Sequence, residues 1–395
     1  MSKNISLAAV AVLGLAGACA ENPSSPTPPR DLQPLLAASQ GSEVIPDHYI
    51  VVFKDNVADV EGATGQLARA SEASVRFTYT AALRGFAAYI PPAGLARVAG
   101  DPRVKYVEPD GVARIVAQTL PWGIDQIDAD ISSTKAGDGT GAISNVNAYI
   151  IDTGIDKAHP DLNVVNHVNF ASGPNSDCNG HGTHVAGTVA ARDNASDVVG
   201  VAPGAPLTGV RVLGCGGSGS WSGVIKGIDW VTANAKKPAV ANMSLGGGAN
   251  QSVDDAVKNS AASGIFYALA AGNDGADACN SSPARAGAGT NNGIMTVAAT
   301  DASDKEASWS NYGNCVDIWA PGVSILSTRK GGGTTTMSGT SMASPHGAGG
   351  GALYLSSQTG ASPSTVESAL KSNATTTANK SNDGRTITRL YVGKL

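Results

Sequence analysis

The residues best placed for chemistry lie in Ser338-Gly339-Thr340-Ser341-Met342-Ala343-Ser344-Pro345-His346. A small Gly-Thr-Ser turn runs there into an Ala- and Gly-rich segment able to begin a buried helix. A serine at a helix N-terminus exposes its hydroxyl above the positive end of the helix dipole, which suits a nucleophile whose intermediate is anionic. The same serine could be a plain helix cap, so Ser341 needs partners elsewhere. Asp152 closes an apolar run in Ile151-Asp152-Thr153-Gly154 and alone would be a turn carboxylate. His184 sits among small residues in Gly180-His181-Gly182-Thr183-His184-Val185-Ala186-Gly187, at the start of a helix predicted over 185–190. An acid, a base and an alcohol, each in a Gly/Thr-rich turn, can together carry nucleophilic catalysis. His181 and His184 could instead suggest a metal-dependent hydrolase, but no third ligand follows at zinc spacing.

Elements able to hold these groups are readable around them. Apolar strands are predicted at 148–151, 207–213, 239–244, 265–270 and 294–298, alternating with helices at 223–233 and 253–263. A last strand-like piece covers 386–392. That alternation means an α/β domain, a mostly parallel sheet flanked by helices. Reactive groups in such sheets collect at the carboxyl ends of strands. Asp152 sits at such an end, and so does Asn273 in Ala270-Ala271-Gly272-Asn273. Ahead of this, residues 46–110 read as β-α-β-β-α-β, a small ferredoxin-like α+β domain. Its strands fall at 48–53, 74–79, 85–90 and 103–108, its helices at 57–70 and 94–99. Residues 111–120 read as a linker, and 121–395 as the second domain.

Composition bounds the rest. The chain has 395 residues, a net charge of −5, 15% charged residues and 49 glycines. So mild a charge points to no nucleic-acid partner and no anionic membrane surface. Residues 1–20 have a short basic start, an apolar run too short to span a bilayer and a small-residue end, as in a secretory signal peptide. Residues 21–45, rich in Ser and Pro, read as a tether. Cleavage after Ala20 gives a soluble secreted protein; cleavage before Cys19 leaves a cysteine for lipid anchoring. Cys178, Cys215, Cys279 and Cys315 form an even set that suggests two disulfides, with three pairings open.

Asp152-Thr153-Gly154, His181-Gly182-Thr183-His184 and Gly339-Thr340-Ser341-Met342-Ala343 resemble the three signature segments of subtilisin-like serine proteases, in that family's order Asp…His…Ser. Cys178-Asn179-Gly180-His181, Asn242-Met243-Ser244-Leu245-Gly246-Gly247-Gly248 and Ser310-Asn311-Tyr312-Gly313 resemble its proteinase K branch, aqualysin-like members in particular. Residues 46–108 resemble the family's inhibitory propeptide. The resemblance implies a subtilisin-like fold and a secreted serine endopeptidase of broad specificity, made as a self-processing zymogen and active as a monomer. Its partners would be protein or peptide substrates, with its own propeptide as intramolecular inhibitor. It implies Ser341 as nucleophile, His184 as base, Asp152 as the group that orients it, and Asn273 with the Ser341 amide as oxyanion donors. Substrate would lie as an added strand between Gly217, Ser218 and Gly219 and the edge Ser244, Leu245 and Gly246, with Gly272 at the first pocket.

The resemblance further implies structural, non-catalytic Ca2+ held by Asp317 with the carbonyls of Asn292 and Ile294. Asp125 and Asp128 resemble a second calcium site, but Ala129 stands where a glutamine ligand is usual, which puts that site in doubt. Cysteine pairs Cys178–Cys215 and Cys279–Cys315 follow from the aqualysin-like pattern. One departure stands out: Gly347, Gly350 and Gly351 occupy positions where Val, Leu or Ala is usual. Each helical glycine costs about 0.5–1 kcal/mol against Ala before lost packing is counted, which leaves lower stability and a looser seat for Ser341 both open; no catalytic group is removed. The rival from another class is a catalytically inactive, protease-derived binding or inhibitory protein, which would normally have lost a member of the Asp, His and Ser set.

Overall fold

A computed structural model of the chain describes residue 35 and residues 44–111, 118–289 and 291–395. The expected signal segment, Cys19 and nearly all of the tether and of the 113–118 cut region lie outside them. The chain divides into two units, Met1–Ala113 and Arg114–Leu395.

In the first unit, β1 (Val44–Phe53), α1 (Val60–Ser71), β2 (Ser74–Tyr79), β3 (Gly85–Tyr89), α2 (Pro92–Ala99) and β4 (Val104–Gly111) follow in turn. The sheet order is β2-β3-β1-β4 with antiparallel neighbours, a ferredoxin-like arrangement. Helix α1 starts at Val60 rather than 57, because the Asp59 carboxylate accepts the Gly62 amide at 2.8 Å and fixes the N-terminus there. Val51, Phe53, Leu67, Phe86, Ile90 and Val98 make its core.

The second unit opens with α3 (Trp122–Gln126), β5 (Asn147–Asp152), β6 (Val164–Asn169), α4 (His181–Ala190), β7 (Leu207–Arg211) and α5 (Trp221–Asn234). Then come β8 (Ala239–Met243), β9 (Gly247–Gly248), α6 (Gln251–Ala262), β10 (Phe266–Ala270), β11 (Ser281–Ser282) and β12 (Ile294–Thr300). It closes with β13 (Ile318–Pro321), β14 (Ile325–Thr328), β15 (Thr334–Met337), α7 (Thr340–Ser357), α8 (Pro363–Asn373), β16 (Thr375–Lys380) and β17 (Thr386–Arg389). The main sheet runs β16-β17-β13-β12-β10-β8-β5-β7-β6, parallel apart from the β16–β17 pair. Strand alternation splits the core between its faces. Ile150 packs with Val185 and Val189 of α4 and Ala348 and Ala352 of α7, while Ile151 packs with Val224 and Ile228 of α5 and Val253 of α6.

Three glycines of α7 stand where the helix is pressed against its neighbours. A Cβ on Gly347 would lie 2.6 Å from Met295 Cε, one on Gly349 2.5 Å from Val201 Cβ, and one on Gly351 2.5 Å from Phe266 Cδ1. The missing side chains let α7 settle directly onto β10 and β12, with residues 342–353 buried throughout. Close contact replaces the packing that larger residues would supply, so the lost helix propensity leaves no void.

Candidate active site

Asp152 ends β5, two strands in from one edge of the main sheet, and is fully buried. Its Oδ1 accepts the Thr153 amide at 2.6 Å and His181 Nδ1 at 2.7 Å. His181, not His184, is therefore the imidazole that meets the acid. His184 is fully buried one turn deeper, where Nε2 donates to the Ile325 carbonyl of β14 at 2.9 Å and Nδ1 has no partner. The reason is where α4 begins. Helix α4 starts at His181, four residues before the predicted start, so His181 stands in the first turn beside the strand ends and His184 lies about 4.5 Å further along the axis.

That start is set by Asp177. Its Oδ1 accepts the amides of Asn179 and Gly180, each at 2.9 Å, and the Thr153 hydroxyl at 3.0 Å. Oδ2 accepts the Thr183 amide at 3.0 Å and hydroxyl at 2.6 Å. A carboxylate on free helical amides is favourable in charge as well as geometry. Gly182 completes the fit, since a Cβ there would sit 2.1 Å from the Gly154 carbonyl oxygen. The carboxylate just ahead of the glycine turn was the readable signal for the helix start.

The two inner and outer histidines differ in charge behaviour. Burial resists protonation of His181, but the charge and hydrogen bond of Asp152, aided by Asp177, outweigh it and raise the pKa above 6.5. Burial pushes His184 and His346 down to about 4. His346 donates from Nδ1 to the Met342 carbonyl at 2.8 Å and leaves Nε2 unpartnered. With folded values below the free value of 6.5, stability is complete above that pH and is lost as pH falls toward 4. Each shift corresponds to about 3 kcal/mol over that window, and repulsion between the two charges adds to the cost of protonating both. Asp161 and Asp317, pushed up to about 6 by burial, act in the opposite sense over the same window, so the reading is a difference: in urea unfolding of the Ser341→Ala protein, the midpoint at pH 5 relative to pH 8 should be lower with His184 present than with His184→Gln.

Ser341 is the second residue of α7. Its hydroxyl donates to the Ser244 carbonyl at 3.3 Å, and the Ser244 hydroxyl donates back to the Ser341 carbonyl at 2.7 Å. Asn273 follows β10 on a turn whose Gly272 has φ +107°, and a Cβ on Gly272 would strike Asn311 Nδ2 at 2.3 Å. Asn273 Oδ1 accepts the Thr340 amide at 2.8 Å and hydroxyl at 2.9 Å. With Oδ1 so engaged, Nδ2 is the end turned to the Gly339 side of the turn, 3.7 Å from where a Cβ on Gly339 would be.

Ser341 and His181 line one cleft of about 520 Å3 together with Gly217, Ser218, Gly219, Ser244, Leu245 and Gly246. Asn179, Leu213 and Trp221 also line it, and sequence reasoning missed them in this role. A second cavity of about 300 Å3 opens from the same serine, lined by Gly246, Ala270, Gly272, Asn273, Ser282 and Thr340. Bonded sulfurs join Cys178 to Cys215 and Cys279 to Cys315. The first bridge ties the loop before His181 to the cleft segment 215–219, where Asn179 Nδ2 also donates to the Cys215 carbonyl at 3.0 Å.

The carboxylate expected to anchor calcium is engaged by protein groups on both oxygens. Asp317 Oδ1 pairs with the Lys371 ammonium at 2.8 Å, and Oδ2 accepts the Thr296 amide at 2.8 Å. The Asn292 amide donates to Glu367 Oε2 at 2.8 Å, while the Ile294 carbonyl oxygen and Asp317 Oδ2 lie beside Gly287, 3.1 and 3.0 Å from where a Cβ there would stand. The carboxylate that would anchor Ca2+ is thus committed to nitrogen donors on both oxygens. Burial pushes Asp317 up to about 6, against the pull of Lys371, so it remains ionised at pH 7 and above.

Residues 145–389 match the subtilase family, and residues 48–115 match the peptidase inhibitor I9 family. An extracellular serine proteinase of Thermus sp. (strain Rt41A) is 45% identical over 386 residues, covering 89% of this chain and 90% of its own. Alkaline serine exoprotease A of Vibrio alginolyticus is 42% identical over 375 residues, covering 88% of this chain and 68% of its own. Among solved structures, a cold-adapted subtilisin-like serine proteinase aligns with a TM-score of 0.61 at 44% identity, covering 69% of this chain and 97% of its own.

Proposed function

Because this chain belongs to the subtilase family and is a serine endopeptidase, we propose that Asp152, His181 and Ser341 form its catalytic triad, with His181 as the base. The observation that carries this is the 2.7 Å bond from His181 Nδ1 to a fully buried carboxylate, with Ser341 in the same cleft. Bonding of Nδ1 to Asp152 fixes the tautomer and leaves Nε2 to take the proton of Ser341 Oγ. Oγ attacks the peptide carbonyl, and the protonated imidazole then gives its proton to the departing amine. Water, deprotonated by the same nitrogen, then attacks the acyl carbon; the ester bond to Ser341 Oγ breaks, Oγ takes the proton back from the imidazolium, and the carboxylic acid product leaves. Asp152 stabilises the imidazolium.

Asn273 Nδ2 and the Ser341 amide at the start of α7 are proposed to bind the oxyanion. Thr340 supports this by holding both of its own donors on Asn273 Oδ1, which fixes which end of the amide faces the serine. The exposed segment 217–219 and the 244–246 edge are proposed to flank an extended peptide. Their glycines let a second backbone approach, so recognition through the main chain gives broad specificity. The unit matching peptidase inhibitor I9 is proposed to act as folding aid and intramolecular inhibitor. Export would be directed by residues 1–20, and activation by self-cleavage within 113–118.

Turnover of an internally quenched peptide tests the site. Loss of an oxyanion-hole asparagine in a subtilisin costs about 10²–10³ in kcat, and Asn273→Ala should lose as much with KM nearly unchanged. A chelator should leave the initial rate of the parent enzyme intact. An unchanged kcat would remove Asn273 from the oxyanion hole, and immediate loss on chelation would favour a metal hydrolase built on His181 and His184.

A further inference from the structure

The charge cluster around Asp317 has a construction of its own. Helix α8 carries Glu367 and Lys371 one turn apart, and both side chains point at the start of β12 and the residue before β13. Lys371 Nζ lies 2.8 Å from Asp317 Oδ1 and 3.2 Å from Glu367 Oε1, so one ammonium bridges two carboxylates. The Glu367 side chain is fully buried and that of Asp317 is 7% exposed. The remaining oxygens are taken by main chain: Glu367 Oε2 accepts the amides of Asn292 and Gly293, both at 2.8 Å, and Asp317 Oδ2 accepts that of Thr296.

A calcium site needs six to eight oxygens converging at 2.3–2.6 Å, with carboxylate lone pairs turned inward. Here the lone pairs point at nitrogen. Two buried carboxylates would repel strongly if left alone, and a single ammonium with three backbone amides supplies the compensating positive charge. The same bonds fasten the 292–296 segment to both α8 and the β13 end, the mechanical task a bound cation would perform.

We infer that the Lys371 ammonium, set in place by Glu367, is a built-in cation that holds the 292–296 segment against Asp317 in place of a divalent metal ion. Calcium bound elsewhere on the chain would not be affected, so the test reads the response that depends on Asp317.

The full chain carrying Ser341→Ala avoids self-digestion. All five tryptophans lie in the second unit, so their fluorescence follows its unfolding alone. In that background, millimolar CaCl2 should change Tm equally with and without Asp317→Asn. Adding Lys371→Ala should lower Tm by roughly 5–15 °C in the presence of a chelator. CaCl2 should then restore part of the loss, and Asp317→Asn should abolish that restoration. Three results would overturn the inference. The first is a calcium response in the Lys371-containing protein that vanishes with Asp317→Asn. The second is a Lys371→Ala protein as stable as its parent. The third is a Lys371→Ala loss that calcium does not relieve, which would leave only an ordinary ion pair. Should Lys371→Ala fail to fold, Lys371→Met keeps the apolar stem for the same measurement, and the comparison with and without Asp317→Asn in the Lys371-containing protein stands by itself.

Discussion

Replacing His181 with alanine is expected to lower kcat by about 10⁶-fold, the size known for loss of a triad histidine in a subtilisin, while leaving the protein folded. His181 sits in the first turn of α4, lines the cleft and has its side chain 27% exposed, so its removal opens onto the cleft rather than into the core. The bond it makes to Asp152 has no substitute, because His184 is turned to the Ile325 carbonyl on the β14 side. His184→Gln should behave in the opposite way. Its kcat should stay within about threefold of the parent, whereas stability should fall by about 1–3 kcal/mol at pH 8 from disturbing a buried hydrogen bond and its packing. Steady-state kinetics and urea unfolding on the two variants separate the roles. A His184→Gln protein that is stable but inactive would restore His184 as the base.

Ser341→Ala should accumulate as uncut precursor, still holding the residues that precede the 113–118 region. Self-cleavage and substrate cleavage need the same nucleophile, and a methyl group leaves Asp152 and His181 nothing to activate. The change is sterically mild, because the Ser341 hydroxyl makes only a 3.3 Å bond to the Ser244 carbonyl. Folding should therefore be intact, and mass spectrometry of the exported protein should find one uncleaved chain. Normal processing in this variant would assign the cut to another protease or another nucleophile.

Much of the site was legible because its parts occupy predictable places in an α/β chain. Asp152 ends an apolar strand, Asn273 follows another, and Ser341 opens a helix; each could be found from hydrophobic runs and the small residues that end them. The choice between His181 and His184 turned on one helix boundary, and that boundary depends on tertiary contacts. The cap of α4 comes from Asp177 across a glycine turn and is tied to Thr153 in another strand end, which no helical periodicity reveals. The packing role of the α7 glycines was hidden for a related reason. Propensity counts what a helix loses, while the gain lies in Met295, Phe266 and Val201, distant in sequence and close in space. Likewise Asp317 was expected from the resemblance to hold calcium, but its partner Lys371 lies 54 residues away with no local pattern to join them.

The most direct test of the Asp152–His181–Ser341 arrangement is to map where a fluorophosphonate attaches to the mature enzyme by peptide mass spectrometry. A single adduct is expected on the peptide bearing Ser341, lost in His181→Ala and retained in His184→Gln. An adduct on a different residue, or undiminished labelling of Ser341 in His181→Ala, would contradict the account.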